Sequence, residues 1–575
     1  MSTLFRYILC FFGSLLIAGC SALPEIAVPQ QTAVHKQMPF ERPPPTIQEL
    51  DPELVFNALA GEIALQRGEY ELAYRHQLQT AILAGDEVAA ERAARIATLL
   101  KRRDLALEAV ERWIELAPNN LAGRQRAVSL YLDAGESEKA FEQALAILAI
   151  SEARGENGFT SVLAVLSKQQ DQIAAMTLMR RLQAIHADDP EAGYAIALIS
   201  FLRRDYAQAE ADIRSVIADR PDWSKGYVLL SRLRKLQDDA SGAVEVLKQV
   251  LRQDPDEASV NTALARLLVE MSDYEGGYQQ FLKINRLAPD DTDALYSLAV
   301  LAVQTERYGV AKDHLKRLLE LGGHVDDAAY YLGRIEEQDG HDEVAIGWYK
   351  RVSGGDYRFE AMARVAQVLA DADRLQEALD WIRNLRVQIP SQSVQLYLME
   401  ARILAQHGSA TEVFEVYSHA LEAHPDNDDI LYARGLYAAE LGRLDIVESD
   451  LRQVIQHDPN NADALNALGY TFADRSIRFE EAGALIAQAL KLKPDSPAIL
   501  DSMGWLHYRM GNLPLALDYL KKAFTILADG EIGAHLGEVL WIMGDRDGAE
   551  AVWKQVLEQD PESRHVRETR GRLVE

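Results

Sequence analysis

The chain has 575 residues, 48% hydrophobic and 26% charged, which excludes global disorder and predicts a folded body of several domain lengths. Lys and Arg number 60 against 88 Asp and Glu, and the resulting net charge of −28 repels phosphate backbones and counts against a nucleic-acid role. Two cysteines, Cys10 and Cys20, are too few for a disulfide scaffold or a cysteine-cluster metal site.

At the start, one cation, Arg6, precedes an apolar run over residues 7–17 broken by Gly13 and Ser14. A helix that spans a bilayer needs about 20 residues, so residues 1–19 read as an export signal rather than a transmembrane anchor. The run ends in Ile17-Ala18-Gly19-Cys20, which resembles the bacterial lipobox. The resemblance implies cleavage before Cys20 and acylation of its thiol and new amine. With Ser21 next, and not Asp, it implies an outer-membrane anchor facing the periplasm. Several acyl chains hold a protein stably on a membrane where one does not.

Residues 20–53 carry Pro24, Pro29, Pro39, Pro43, Pro44, Pro45 and Pro52, a density that forbids helix and favours extended polyproline II. This stretch reads as a semi-rigid tether. Its apolar residues Val28, Val34, Met38 and Phe40 exceed what a spacer needs, which keeps open a docking segment that orders on a partner.

From residue 54 to 563 one unit repeats. Gly435, Gly469, Gly504 and Gly537 step by 34, 35 and 33; Pro221, Pro255 and Pro289 step by 34, as do Pro425 and Pro459. Longer intervals, such as Pro118 to Pro190, are near-multiples of the same period. Within a unit, Leu465, Leu468, Gly469 and Phe472 share one helix face, and Ala482, Leu485, Ile486 and Ala489 share another after a turn near Asp474. Pro494 then stops the second helix. The small residues let the two helices approach closely.

This pattern resembles the tetratricopeptide repeat (TPR) family of 34-residue helix-turn-helix units. The resemblance implies an all-α, right-handed superhelical solenoid of about 11–15 repeats, with thirty helices as the upper count. Five units depart from it by placing Gly85, Glu152, Gly323, Tyr357 and Ala528 where the closing proline belongs, and residues 155–189 align poorly. Residues 564–575, with Arg564, Arg567, Arg570 and Arg572, read as a polar end over the last unit.

Phosphate-binding loops, nucleophile elbows and H-E-x-x-H are absent, so no enzyme, cofactor or metal is expected. The closest histidines, His419 and His424, are five apart and off one helix face. The acidic groups Asp426-Asn427-Asp428-Asp429 and Asp290-Asp291 follow closing prolines, where Asp and Asn cap the next helix.

In the TPR family the first helix of each unit lines a concave groove. The corresponding positions hold Lys225, Arg232, Lys235 and Arg266, a local basic stripe on an acidic chain; then Tyr296, Tyr330 and Arg334; then Asn466, Tyr470, Asp501, Trp505 and Tyr508. Tyr, Trp and Arg dominate interface energetics when buried against a partner. Tyr470, Trp505 and Tyr508 have a second reading as packing between units, and the cations a second reading as solvated helix ends.

The lipobox, the tether and the long array, with Ala-Leu-Asn-Ala-Leu-Gly-Tyr at 464–470 and Ile-Leu-Asp-Ser-Met-Gly-Trp at 499–505, resemble the lipoprotein adaptors of periplasmic carboxyl-terminal processing proteases. That resemblance implies two kinds of partner: a serine protease of this family and its cell-wall (peptidoglycan) hydrolase substrates. The alternative is a scaffold for envelope assembly, polymer export or cell-wall synthesis.

Overall fold

The computed structural model describes residues 51–574, which hold 31 α-helices and no strand. Cys20, Val28, Val34, Met38 and Phe40 lie outside the described residues. The first thirty helices, from Pro52–Gln66 to Arg546–Gln559, succeed one another as fifteen pairs, and Arg564–Val574 follows alone. They fall into two compact units, one up to Ile335 and one from Glu336.

The helices begin where the sequence offers a cap. The Asn120, Asn157, Asn427 and Asn461 side chains each accept a backbone N–H from the first turn that follows, as do Asp86 and Asp291. The acidic groups after closing prolines are therefore caps: Asn427 Oδ1 accepts from Ile430 N at 3.1 Å, and Asp291 Oδ1 from Asp293 N at 3.0 Å.

They end where proline demands it. Ala117, Arg220, Ala288, Ile389, His424, Asp458, Lys493 and Asp560 each precede a proline, and all hold φ between −128° and −134°. The proline ring clashes with a helical predecessor and forces this extended geometry. Where the proline is missing the exits differ. Gly85 and Gly322 leave through left-handed φ of 64° and 73°. Glu152 stays helical, and its helix runs to 17 residues, Ser137–Ala153. Tyr357 stands at the start of Arg358–Asp371, and Ala528 lies in a non-helical stretch. Pro190, counted above with the closing prolines by its spacing, instead opens the helix Pro190–Leu202. The poorly aligned stretch holds a first helix of only 9 residues, Gly158–Leu166.

Small residues set the spacing inside a pair. A Cβ on Gly469 would meet Ile486 Cγ1 at 2.7 Å, one on Gly504 would meet Leu520 Cγ at 2.6 Å, and one on Gly537 would meet Trp553 Nε1 at 2.0 Å. Ala482, Ala516 and Ala549 are fully buried opposite them. One amphipathic pair cannot bury its own apolar face, so each core is shared between neighbours. The last helix joins that scheme: Val566 is buried with Trp553 and Val556, and Arg572 pairs with Glu538.

Candidate partner-binding faces

In the unit up to Ile335, the stripe of cations is interleaved with acids from adjacent repeats. Lys225 Nζ donates to both Glu191 carboxylate oxygens at 2.8 and 2.7 Å and lies 4.6 Å from the Tyr194 ring centre. Lys235 pairs with Glu270, and burial together with nearby Arg232 pulls its ammonium pKa below the ordinary lysine value. The Arg232 guanidinium lies 5.9 Å from the Phe201 ring centre. Arg232, Lys235 and Arg266 remain solvent-exposed. Partly exposed pairs like these are weak, about 0–1 kcal/mol, so water and a partner can compete for them.

The aromatic group beyond it separates into two kinds. Tyr296 is half-buried and stacks on His324, with centroids 4.5 Å apart and planes 8° apart. His324 Nε2 in turn lies 2.9 Å from Asp293 Oδ1. Arg334 is half-buried, its guanidinium 6.0 Å from the Tyr330 ring centre. Tyr330, expected on the groove, is only 1% exposed and packs edge-on against Tyr331. Its ring fills the core between helices, out of a partner's reach.

In the unit from Glu336, three successive first helices build one polar–aromatic cluster: the Asn466 helix (Ala462–Asp474), the Asp501 helix (Pro497–Arg509) and the His535 helix (Gly530–Ile542). Asp501 is 4% exposed and Trp505 6%, so neither lines an open groove as expected. The repeat period brings a histidine against them. His535 Nδ1 sits 3.0 Å from both Asp501 oxygens, and its ring stacks on Trp505 at 3.9 Å. The Trp505 indole N–H donates to Asp474 Oδ1 at 3.2 Å. Tyr470 donates its hydroxyl to Glu531 Oε1 at 2.9 Å, linking the first helix of the three to the third. Burial, then the charges of Glu531, Asp501 and Asp474, raise the Tyr470 phenol well above its ordinary value. Tyr508 donates to Glu538 Oε1 at 2.8 Å; burial and that carboxylate push its phenol up to about 12. Asn466 is half-buried, and its side-chain oxygen is enclosed without a hydrogen bond.

The sequence pattern pointed to Tyr470, Asp501, Trp505 and Tyr508 but passed over His535, Glu531 and Glu538. A signal existed: Asn466, Asp501 and His535 are successive occupants of one repeat position, 35 and 34 residues apart. Their residue types differ, which hid the kinship.

Among the described residues, neither Asp501 nor His535 hydrogen-bonds to a serine, threonine or cysteine. One trio, Glu336, Asp339 and His341, brings its ligand atoms within 4.8 Å of one another. Asp339 and His341 are exposed, and His341 Nδ1 is already 2.8 Å from Glu336 Oε2. No described helix is long and apolar enough to cross a membrane.

Tetratricopeptide-repeat family profiles match residues 235–301, 296–357 and 448–497. The chain is 42% identical over 214 residues to the TPR repeat-containing protein PA4667 of Pseudomonas aeruginosa, covering 37% of this chain and 36% of that one. It is 23% identical over 250 residues to the human protein O-mannosyl-transferase TMTC1, covering 42% of this chain and 24% of that one. The chain thus spans about a third and a quarter of the length of these two relatives. A solved tetratricopeptide repeat protein from Parabacteroides merdae is 14% identical with a TM-score of 0.35, covering 44% of this chain and all of that one. Profiles, relatives and paired helices together show an all-α solenoid of tetratricopeptide repeats, an architecture that serves as a protein–protein interaction scaffold.

Proposed function

We propose that this TPR chain is a non-catalytic, membrane-anchored adaptor at the outer membrane, facing the periplasm. In this reading it brings a serine protease of the carboxyl-terminal processing family together with cell-wall hydrolases and so promotes their proteolysis. The observation that carries the reading is the lipobox Ile17-Ala18-Gly19-Cys20 ahead of a repeat array with two chemically different first-helix faces. One presents cations on Arg232, Lys235 and Arg266, and the other presents tyrosines backed by carboxylates. An adaptor needs two separate sites of different chemistry. Anchoring confines the search to the membrane surface and raises the effective concentration of whatever is held there.

The test uses residues 21–575, crosslinked in periplasmic extract with the captured proteins identified by mass spectrometry. The adaptor reading expects a serine protease and cell-wall hydrolases together, and faster hydrolase loss when purified chain is added to both. Recovery of export or synthesis components without a protease overturns it in favour of the assembly scaffold. Deleting residues 21–49 while keeping Cys20 separates tether from docking segment: unchanged affinity for every partner leaves only the tether.

A further inference from the structure

His535 is the one histidine among the described residues that is both buried and held against a buried carboxylate. Asp501, itself buried, has no other side-chain partner among the described residues. The arrangement is a bolt between two successive first helices, with the indole of Trp505 stacked over the imidazole at 3.9 Å and 19°. A protonated imidazole gains twice there, from the carboxylate and from the electron-rich face of the indole. The Tyr470–Glu531 bond crosses the same place, so the Asn466 helix shares the fastening.

We propose that His535 is a proton-operated clasp: protonated, it locks the Asp501 and His535 helices together through Asp501 and Trp505; neutral, it lets the inner wall of this unit loosen. The inference goes beyond the adaptor reading and needs no partner to be tested.

The charges that face the imidazole favour the proton from several sides. Asp501 comes from Pro497–Arg509; Glu531 and Glu538 come from the His535 helix itself. Arg572, from Arg564–Val574, reaches Glu538 and Tyr470, from Ala462–Asp474, reaches Glu531, so both partly satisfy the flanking acids. The helices Leu513–Ile526 and Arg546–Gln559 meet the His535 helix through Phe524, Val556 and Trp553, at Gly533 and Gly537. Burial is the largest single influence and opposes the charge, but the charge and hydrogen bond of Asp501 with the charges of Glu531 and Glu538 together outweigh it and raise the imidazole above its ordinary value. The sign follows. The clasp's contribution is whole below the unfolded histidine's value and is lost as pH rises through the higher folded value.

Hydrogen exchange by mass spectrometry on the full mature chain tests this, at about pH 6 and about pH 8.5, each corrected for intrinsic exchange. Peptides of Pro497–Arg509 and Gly530–Ile542 should lose protection severalfold at the higher pH, the direction that the linked titration sets. Peptides of the unit up to Ile335 serve as the control and should not change. In H535Q, whose amide keeps an N–H donor but does not titrate, both helices should show the weaker protection at both pH values. In D501N, which stays polar but loses the charge that holds the proton, the loss of protection at the higher pH should vanish. Equal protection of the wild-type helices at both pH values overturns the proposal, as does a loss of protection at the higher pH that survives in D501N or H535Q. The wild-type comparison stands even where a variant fails to fold.

Discussion

The basic stripe and the His535 cluster both lie on first helices of their repeats, in different units, yet solve opposite problems. Lys225 and Lys235 meet acids one repeat away in partly exposed pairs, and solvent reaches both partners. Asp501 meets His535 one repeat away as well, but both are buried, and an indole closes over them. Identical spacing thus yields a negotiable surface in one place and a fastening in the other. The lesson concerns burial: a polar pair that water can replace is open to a partner, whereas a sealed one is committed to the stack.

The sharpest way to break this comparison is Asp501→Ala. It strips a buried histidine of its hydrogen-bonded carboxylate, and unfolding followed by hydrogen exchange should show a loss of about 3–5 kcal/mol confined to the unit from Glu336. A loss below about 0.5 kcal/mol would return Asp501 to the open groove. Next comes Gly537→Ala, whose methyl collides with the Trp553 indole; it should cost about 1–3 kcal/mol by denaturant titration. Gly309→Ala, with open space around its Cβ in Tyr308–Leu321, should instead be neutral or stabilising by up to about 1 kcal/mol. Tyr470→Phe removes one charge-assisted bond and should cost about 1.5 kcal/mol in the same titration.

The smallest effect on stability belongs to the stripe. Reversing Arg232, Lys235 and Arg266 together should leave the thermal midpoint nearly unmoved while weakening one captured partner at least about tenfold, more steeply at low salt. Unchanged capture of every partner removes the stripe from the binding surface.

Much of the fold was legible because several marks recur in register. Glycines at 435, 469, 504 and 537 and the closing prolines gave the helix pair, its close approach and its stop. What stayed hidden was how the chain makes the turn inside each pair, which the sequence places near Asp474 in one of them. It passes through a left-handed residue that recurs at Lys101, Gly135, Arg204, Asp238, Ser272, Glu306, Gly340 and Asp373, close to the period. Only some of these are glycine, so a search for glycine could not find them. The candidate site was legible as positions and not as environments. The family's groove geometry picked out Tyr330, Asp501 and Trp505, but whether a first-helix position opens to solvent depends on the side chain one repeat later. His535 closing over Trp505 is such a case.

Those left-handed turn residues carry a consequence for the energetics of the array. Lys101, Arg204 and Glu306 hold φ of 57°, 61° and 57°, where a side chain costs about 1–2 kcal/mol relative to glycine. Each is a local shortfall that glycine would recover in part, reduced by its looser unfolded chain. Adjustable tensions thus recur along the molecule wherever the left-handed turn residue is not glycine. The array can therefore be stabilised stepwise at these exposed turns, each by a change to one turn residue.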